Sequence, residues 1–447
     1  MVNNSKSRRK YTHESELYFL IIRLFMKKWT SEEITILKSK YEKVGVIKLS
    51  KELCRSYYSV HKKAMELELN YKNKTWKNEI DFLVTDESAI ITYESIIKTF
   101  NLRQQELAFN YIKARLMRKQ GLKLRDIANE LKVSEQTLRG WSSKTTPRAI
   151  RCVIKLTKLN LLPLVLNNTP EFELFLKIFG WIFGDGNINN LQQITLVGNK
   201  PTIKLLRKET KLIFPFIGHS IKTIKTNGEF QGRKIVGEGT NLIINDAAFS
   251  RLLYAAGAPK GNKTIQSIKI PIWLINADRK LKSIFLGALW STDGSKPVWG
   301  GRGFYLCVKF NKSLRFKNEH EIFLNSIREL LREFDITTSE IKWKERPYKR
   351  KDGEIVDSAY FYVSTKAENF LRFCKEIPIF NIERKIEFED TLLKIRNKLE
   401  NREDRRVVYA KVKELSRNGK SIREVSETLN LPYSTAKVWI RGIHKPI

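Results

Sequence analysis

The chain has 447 residues and a formal net charge of +35. Such a length exceeds one ordinary domain, and a cationic excess spread along the whole sequence predicts a polyanionic partner, most simply nucleic acid gripped through its phosphates. Cys54, Cys152, Cys307 and Cys374 stand too far apart for a zinc ribbon or a disulfide framework, the five histidines are scattered, and no P-loop, membrane span or signal-peptide core is present, so the expected location is cytoplasmic, nucleoid-associated, or an organelle in a eukaryotic host.

Residues 1–26 read as a basic tail and a short helix, Leu17–Phe25. Residues 27–75 read as three short helices closing on Trp29, Leu37, Tyr41, Leu49, Leu53, Val60, Ala64 and Leu67. Thr30 and Glu33 spell a capping box, and the third helix, from about Ser56, carries His61, Lys62 and Lys63. Through Trp29-Thr-Ser-Glu-Glu33, Leu53-Cys-Arg-Ser56 and Ser59-Val-His-Lys-Lys-Ala64, this segment resembles Myb/SANT-like DNA-binding domains. The resemblance implies that Lys62 and Lys63 contact DNA.

Residues 76–165 are expected to be helical and to contain a helix-turn-helix over Gly121–Trp141. Leu124, Ile127 and Leu131 pack its first helix, Lys132-Val133 makes the turn, Ser134 caps the second helix, and Leu138 with Trp141 buries the inner face. That leaves Glu135, Gln136, Thr137 and Arg139 outward at the start of the second helix, where major-groove readers belong. A second copy, in residues 401–447, aligns without a gap: Gly121, Arg125, Ile127, Leu131, Thr137 and Trp141 meet Gly419, Arg423, Val425, Leu429, Thr435 and Trp439. Its readers are Ser434, Thr435 and Lys437, and Pro432 replaces the capping Ser134. Boundaries are expected near 70–78, 162–169 and 397–404.

Residues 166–280 and 281–400 read as two copies of one α+β pattern, helix–strand–strand–helix–strand–strand–helix. In the first, a helix capped by Thr169-Pro170 leads to Asp185-Gly186, followed by strand 193–197, helix 200–213, strands 220–225 and 234–244, and helix 247–256. In the second, a helix ends at Asp293-Gly294, followed by strand 304–310, helix 317–334, strands 341–344 and 359–363, and helix 367–375. A carboxylate at a helix C-terminus opposes the helix dipole, so a cation should sit beside each. Gly180 and Gly184 in one helix, with Ala288 and Thr292 in the other, are small residues one turn apart that let the two helices meet as a seam. Both aspartates would then emerge at the same end, where hard cations take oxygen ligands: Asp185, Asp293 and the backbone carbonyls of Gly184 and Thr292.

The stretches Ile178-Phe-Gly-Trp-Ile-Phe-Gly-Asp-Gly186 and Leu286-Gly-Ala-Leu-Trp-Ser-Thr-Asp-Gly294 resemble the two signature helices of the LAGLIDADG homing endonucleases. The resemblance implies a monomer with a duplicated αββαββα core and pseudo-twofold symmetry, flanked here by small all-α helix-turn-helix domains. It implies two sheets saddling the DNA major groove and a pair of acidic residues that hold Mg²⁺ (or Mn²⁺) and cut both strands. In the family a lysine attends each site. Lys263 matches that pattern and Lys385 fits it more loosely, with Lys260, Arg384 or Arg279 as substitutes. Gln192, Gln193, Thr195, Lys222, Lys225, Lys309, Lys342 and Lys344 are candidate DNA contacts on the strands. The family's usual acidic residue two before the aspartate is Phe183 in one copy and Ser291 in the other.

The function expected is site-specific, metal-dependent cleavage of double-stranded DNA, with no membrane partner. The alternatives are a regulator that binds DNA without cutting and a maturase acting on intron RNA. An embedded intein is not expected, because Met1 is no splicing nucleophile and the His444-Lys-Pro-Ile447 end lacks the usual His-Asn.

Overall fold

The computed structural model describes residues 29–53, 55, 57–67, 69, 86–143, 145–215, 217–230, 233–300 and 303–443. The tail and helix expected within 1–26, the boundary expected at 70–78, Cys54 and residues 444–447 lie outside them. Two compact units divide the chain: Met1–Thr85 with Leu102–Pro163, and Asp86–Asn101 with Leu164–Ile447. In chain order the helices before the sheets are α1 (Ser31–Glu52), α2 (Tyr57–Glu66), α3 (Tyr93–Lys98), α4 (Leu102–Lys119), α5 (Leu124–Leu131), α6 (Glu135–Ser143), α7 (Arg148–Lys158) and α8 (Pro170–Phe183).

In the first unit, 29–69 holds two helices among the described residues, α1 and α2, where three short ones were expected. Nothing between Ser31 and Glu52 breaks the helix: its one glycine, Gly45, is tolerated at a modest cost. The core nonetheless closes on the expected residues, Leu37, Tyr41, Leu49, Leu53, Val60 and Ala64, joined by Val46 and flanked by Trp29 and Leu67. Thr30 and Glu33 form the reciprocal capping box: the Thr30 amide donates to Glu33 Oε2 (2.9 Å) and the Glu33 amide to Thr30 Oγ1 (3.1 Å). The same carboxylate receives Arg55 Nε and Nη2 at 3.0 and 2.7 Å, and the guanidinium lies over the Trp29 ring. Removal of a hub that satisfies both a helix start and a buried arginine should cost about 2–3 kcal/mol. Glu33→Ala is therefore expected to shift the chemical unfolding of this unit by that amount, and an unchanged midpoint would reject the hub.

Two short helices joined by a tight turn form in both places. Lys132 ends α5 in the left-handed region (φ 51°), the Thr137 amide donates to Ser134 Oγ (3.1 Å), and Leu138 and Trp141 are buried. The later copy reproduces the backbone: Gly419 matches Gly121 and Asn430 matches Lys132 in positive φ. Pro432 caps the second helix of that copy without a side-chain bond, as its lack of a hydroxyl requires.

The second unit takes residues 86–101 from the expected 76–165 segment. Ile91 bridges Leu164, and Arg251 stacks on Phe100 at 3.5 Å while donating to the Thr99 carbonyl and hydroxyl. After α8 come β1 (Gly186–Asn189), β2 (Gln193–Gly198), α9 (Lys200–Ile213), β3 (His219–Phe230), β4 (Arg233–Ile244) and α10 (Ala247–Ala255), then the short α11 (Ile272–Ile275). Next are α12 (Arg279–Thr292), β5 (Val298–Gly300), β6 (Gly303–Ser313), α13 (Lys317–Arg332), β7 (Lys342–Trp343), β8 (Tyr348–Lys349), β9 (Ile355–Val363) and α14 (Ala367–Glu376). The class is α+β. One antiparallel sheet runs β1-β2-β4-β3 and the other β5-β6-β9-β7, with β8 on β9. Ile194, Leu196, Leu242 and Ile244 turn one face of the first sheet inward, and Leu306, Val308, Phe361 and Val363 do the same in the second.

The chain closes with α15 (Ile382–Arg417), α16 (Ile422–Thr428) and α17 (Tyr433–Ile440). The boundary expected at 397–404 falls inside α15, an unbroken helix of 36 residues. The stretch is rich in charged residues that favour helix and contains no Gly or Pro. Val412, Val425 and Ala436 form the buried core of the terminal module. Among the described residues no helix is long and apolar enough to cross a membrane.

Candidate active site

The two aspartate-ending helices start alike. Thr169 Oγ1 accepts the Phe172 amide at the head of α8 (3.3 Å), and an Asp278 oxygen accepts the Leu281 amide at the head of α12 (2.9 Å). Both helices are buried on nearly every side, and α8 packs along α12. Gly180 faces Ala288 so closely that an added Cβ would lie 2.8 Å from the Ala288 methyl and from the Phe285 carbonyl. One turn on, a Cβ at Gly184 would overlap the Thr292 hydroxyl and Asp293 Oδ2. The four small residues singled out in the sequence therefore lie on one line of contact. Gly184→Ala should force the helix ends apart, at a cost above about 3 kcal/mol, visible as a large fall in the thermal midpoint. A variant as stable as the parent would contradict this packing.

That contact brings Asp293, at the C-cap of α12, against Gly184, the residue before Asp185. Helix ends that already carry partial negative charge thus meet with two carboxylates, and two cations answer them. Lys263 Nζ donates to the carbonyls of Ile182 (2.9 Å) and Gly186 (2.9 Å) at the end of α8. Arg384 Nη1 and Nη2 donate to the carbonyls of Trp290 and Thr292, each at 2.7 Å, at the end of α12. The counterpart of Lys263 is therefore Arg384. Lys385, the residue first favoured for that place, is exposed and faces Glu389 on its own helix (3.7 Å), because one residue along a helix turns the side chain by about 100°. Of the other substitutes, Arg279 sits at the opposite end of α12, bonded to Glu376 and the Glu333 carbonyl, and Lys260 lies over Tyr254.

Electrostatics follow from this crowding. Burial pushes the Asp293 carboxyl up to about 7, the adjacent Asp185 charge adds to the rise, and Lys263, Arg384 and the Thr292 hydroxyl oppose it. Burial also raises Asp185, against Lys263 and Arg384. Burial lowers Lys263, against the two carboxylates. Asp293 Oδ2 is enclosed and has no hydrogen-bond partner. A buried carboxylate oxygen without a donor, beside a second carboxylate, fits a hard divalent cation. Among the described residues no three His, Cys, Asp or Glu side chains converge, so the donors would be this pair and backbone oxygen. The Gly184 carbonyl lies at that point of the chain, whereas the Thr292 carbonyl, expected to face a metal, already accepts from Arg384.

Ser291, where the family pattern has an acid, accepts the Phe380 amide (2.7 Å) and so fixes the turn that delivers Arg384. Asn381 caps α15 by accepting the Arg384 amide (3.2 Å). Sequence reasoning missed both roles. The signal was present as Asn381-Ile-Glu-Arg384, an N-cap three residues before a cation in the first turn.

The strand candidates divide by face. Gln193 and Thr195 stand opposite the buried Ile194 and Leu196 on β2, and Lys222, paired with Asn241, shares their side. Lys225, three residues on, belongs to the other face of β3. In the second sheet Lys309 and Lys342 both pair with Tyr360, one on each side, forming a single row across β6, β9 and β7. Lys344 follows two residues later, beside Ser358. In the helical modules Gln136, Arg139, Lys62 and Ser434 are exposed, while Thr137, Lys63, Thr435 and Lys437 are half-buried. Lys63 pairs with Glu66 (3.2 Å) and Arg139 with Glu135 (3.3 Å).

A family model described as a LAGLIDADG-like domain matches residues 280–378, which begin with α12 and include the second sheet. The chain is 28% identical over 197 residues to the tRNA-splicing ligase RtcB of Pyrococcus furiosus, 42% of this chain and 20% of that protein. It is 27% identical over 250 residues to the replication factor C small subunit of Methanocaldococcus jannaschii, 52% of this chain and 12% of that one. It is 40% identical over 55 residues to an uncharacterized protein of Listeria innocua, 12% of this chain and 71% of that protein. The chain spans about a fifth or less of the length of the RtcB and replication-factor relatives. The helix α12, ending in Asp293 and backed by Arg384, thus opens the stretch of this chain, residues 280–378, that is similar to a LAGLIDADG-like domain.

Proposed function

We propose that the chain is a double-stranded DNA endonuclease of homing type, in which 166–280 and 281–400 form the two pseudo-twofold halves of a monomeric LAGLIDADG core. The observation that carries this reading is the meeting of Asp185 and Asp293 at one helix seam, each backed by a cation on its helix end, with Asp293 Oδ2 left without a donor. Asp185, Asp293 and the Gly184 carbonyl would hold Mg²⁺ or Mn²⁺, which supplies positive charge to a phosphodiester as it hydrolyses. Lys263 and Arg384 fix the two helix ends and offset the charge of the carboxylates and of an arriving phosphate. The Lys309–Tyr360–Lys342 row and the Gln193, Thr195 and Lys222 face would track DNA phosphates and base edges. The Myb/SANT-like segment and the two helix-turn-helix modules would lengthen the footprint.

The names of the relatives fit this reading. A ligase and a replication factor subunit have different tasks, yet each shares only a small part of its length with this chain. A common module carried by unlike proteins accounts for that better than a shared ligase activity.

The test is a supercoiled plasmid library of genomic fragments incubated with the protein and Mg²⁺. Linearised plasmid is expected, and its loss by at least about 1,000-fold in Asp185→Asn and in Asp293→Asn, with binding in Ca²⁺ retained. Binding without cleavage by the parent protein would favour a regulator. Protein-dependent splicing of an intron RNA in place of cleavage would favour a maturase.

A further inference from the structure

Lys312 is a lysine with 1% of its surface exposed. It is the penultimate residue of β6, on the inward side set by Leu306 and Val308. Among the described residues it makes no ion pair. Its Nζ donates to a single backbone group, the carbonyl of Lys263, at 2.7 Å. A desolvated ammonium held on one carbonyl is costly, and here the carbonyl belongs to the residue whose own side chain closes α8 beneath Asp185. The tie crosses from the segment 281–400 to the segment 166–280. A buried histidine, His320, stacks on Phe323 with both ring nitrogens unpartnered, so it accepts no hydrogen bond from Lys312.

The opposite crossing exists as well. Where β2 passes into α9, Asn199 uses Oδ1 to cap its own helix at the Thr202 amide (3.0 Å) and Nδ2 to donate to Asn381 Oδ1 (2.9 Å). The Ile382 amide donates to Thr202 Oγ1 (2.9 Å). These two side chains of the first segment hold the turn that delivers Arg384 to the end of α12. Each segment therefore secures the cation that serves the other segment's aspartate-ending helix: Lys312 holds the loop of Lys263, at the end of α8, and Asn199 with Thr202 holds the turn of Arg384, at the end of α12.

We propose that Lys312, and reciprocally Asn199 with Thr202, are positioning residues for the two active-site cations, so that neither half-site is complete without the other segment. This rests on the nuclease reading for its catalytic consequence, but the placement can be read without activity. The variants are Lys312→Met, which keeps the side-chain volume, and the pair Asn199→Ala with Thr202→Ala. Hydrogen exchange followed by mass spectrometry is measured on the full chain, on peptides covering 258–268 and 376–384. Lys312→Met should speed exchange about tenfold in the first peptide and leave the second alone, and the Asn199/Thr202 pair should do the reverse. The same proteins are then given a supercoiled plasmid that the parent protein has linearised. Each variant should accumulate nicked circles, with the surviving nick on opposite strands in the two cases. Parent-like exchange in 258–268 for Lys312→Met overturns the proposal, as does faster exchange with both strands slowed equally. If the parent cuts no plasmid the nuclease reading fails, while the exchange pattern still decides whether the cross-segment ties hold their loops.

Discussion

Arg384→Ala is expected to lower unfolding stability by about 2–4 kcal/mol and DNA cleavage by at least about 100-fold. The guanidinium closes two carbonyls at the buried end of α12. Once it is gone, those acceptors face a low-dielectric site without a donor, and among the described residues the two neighbouring carboxylates keep Lys263 as their adjacent cation. The loss is larger than for an exposed ion pair because both partners sit out of water. Lys385→Ala, one residue away, removes an exposed side chain whose contact is Glu389, and should change stability by no more than about 0.5 kcal/mol and leave cleavage intact. Denaturant titrations and plasmid assays on the two variants check this together. Equal effects, or a larger effect at Lys385, would overturn the assignment of Arg384 as the partner of Lys263.

Asp293→Asn should abolish cleavage and yet stabilise the protein in the absence of divalent cations. The Asp293 carboxyl is pushed up to about 7 when folded, chiefly by burial. Unfolded, a carboxyl of this kind titrates near about 4. Between those values the folded state binds the extra proton, so stability falls as the pH rises from about 4 to about 7 and stays low above that window. Asparagine removes the buried charge and with it this loss. At pH 8 in a chelator the gain is expected to be on the order of 2 kcal/mol after solvent screening, about a third of that at pH 5, and near zero below about pH 4. A divalent cation should raise the thermal midpoint of the parent protein at pH 8 and barely move the variant. A lower midpoint for Asp293→Asn at pH 8 without metal would show that the carboxylate is satisfied by protein groups and leaves no place for a cation.

Much of this arrangement was legible in the residues. Gly180, Gly184, Ala288 and Thr292 announced a close helix contact because small side chains at four-residue spacing have few other uses in an apolar helix, and the contact fell there. The strands and helices between 193 and 376 form close to where alternation and capping placed them, because one face of each sheet is buried and fixes the period. The exceptions have physical causes. β1, Gly186–Asn189, is a four-residue strand that pairs by returning on β2, and its sequence Gly-Asn-Ile-Asn has little strand propensity. Arg384 and Lys385 are chemically alike and adjacent, so composition ranks them equally, and the phase set by Asn381 at the start of α15 decides between them. Lys312 reads as one more surface lysine in a chain of net charge +35, although the inward alternation from Leu306 and Val308 points it into the protein. Residues 86–101 gave no sign of their attachment to the second unit, since that depends on Arg251 stacking on Phe100 from far along the chain.

The unbroken α15 has a mechanical meaning. It begins two residues before Arg384 and ends within a few residues of the helical module at 422–440, so a rod about 50 Å long joins the end that carries Arg384 to that module. A rod fixes compass bearing as well as reach. Adding one residue to its exposed middle would swing the terminal module by about 100°, while adding seven would bring it back to nearly the same heading, about 10 Å farther out. Tolerance to inserted length in this chain should therefore be periodic rather than graded.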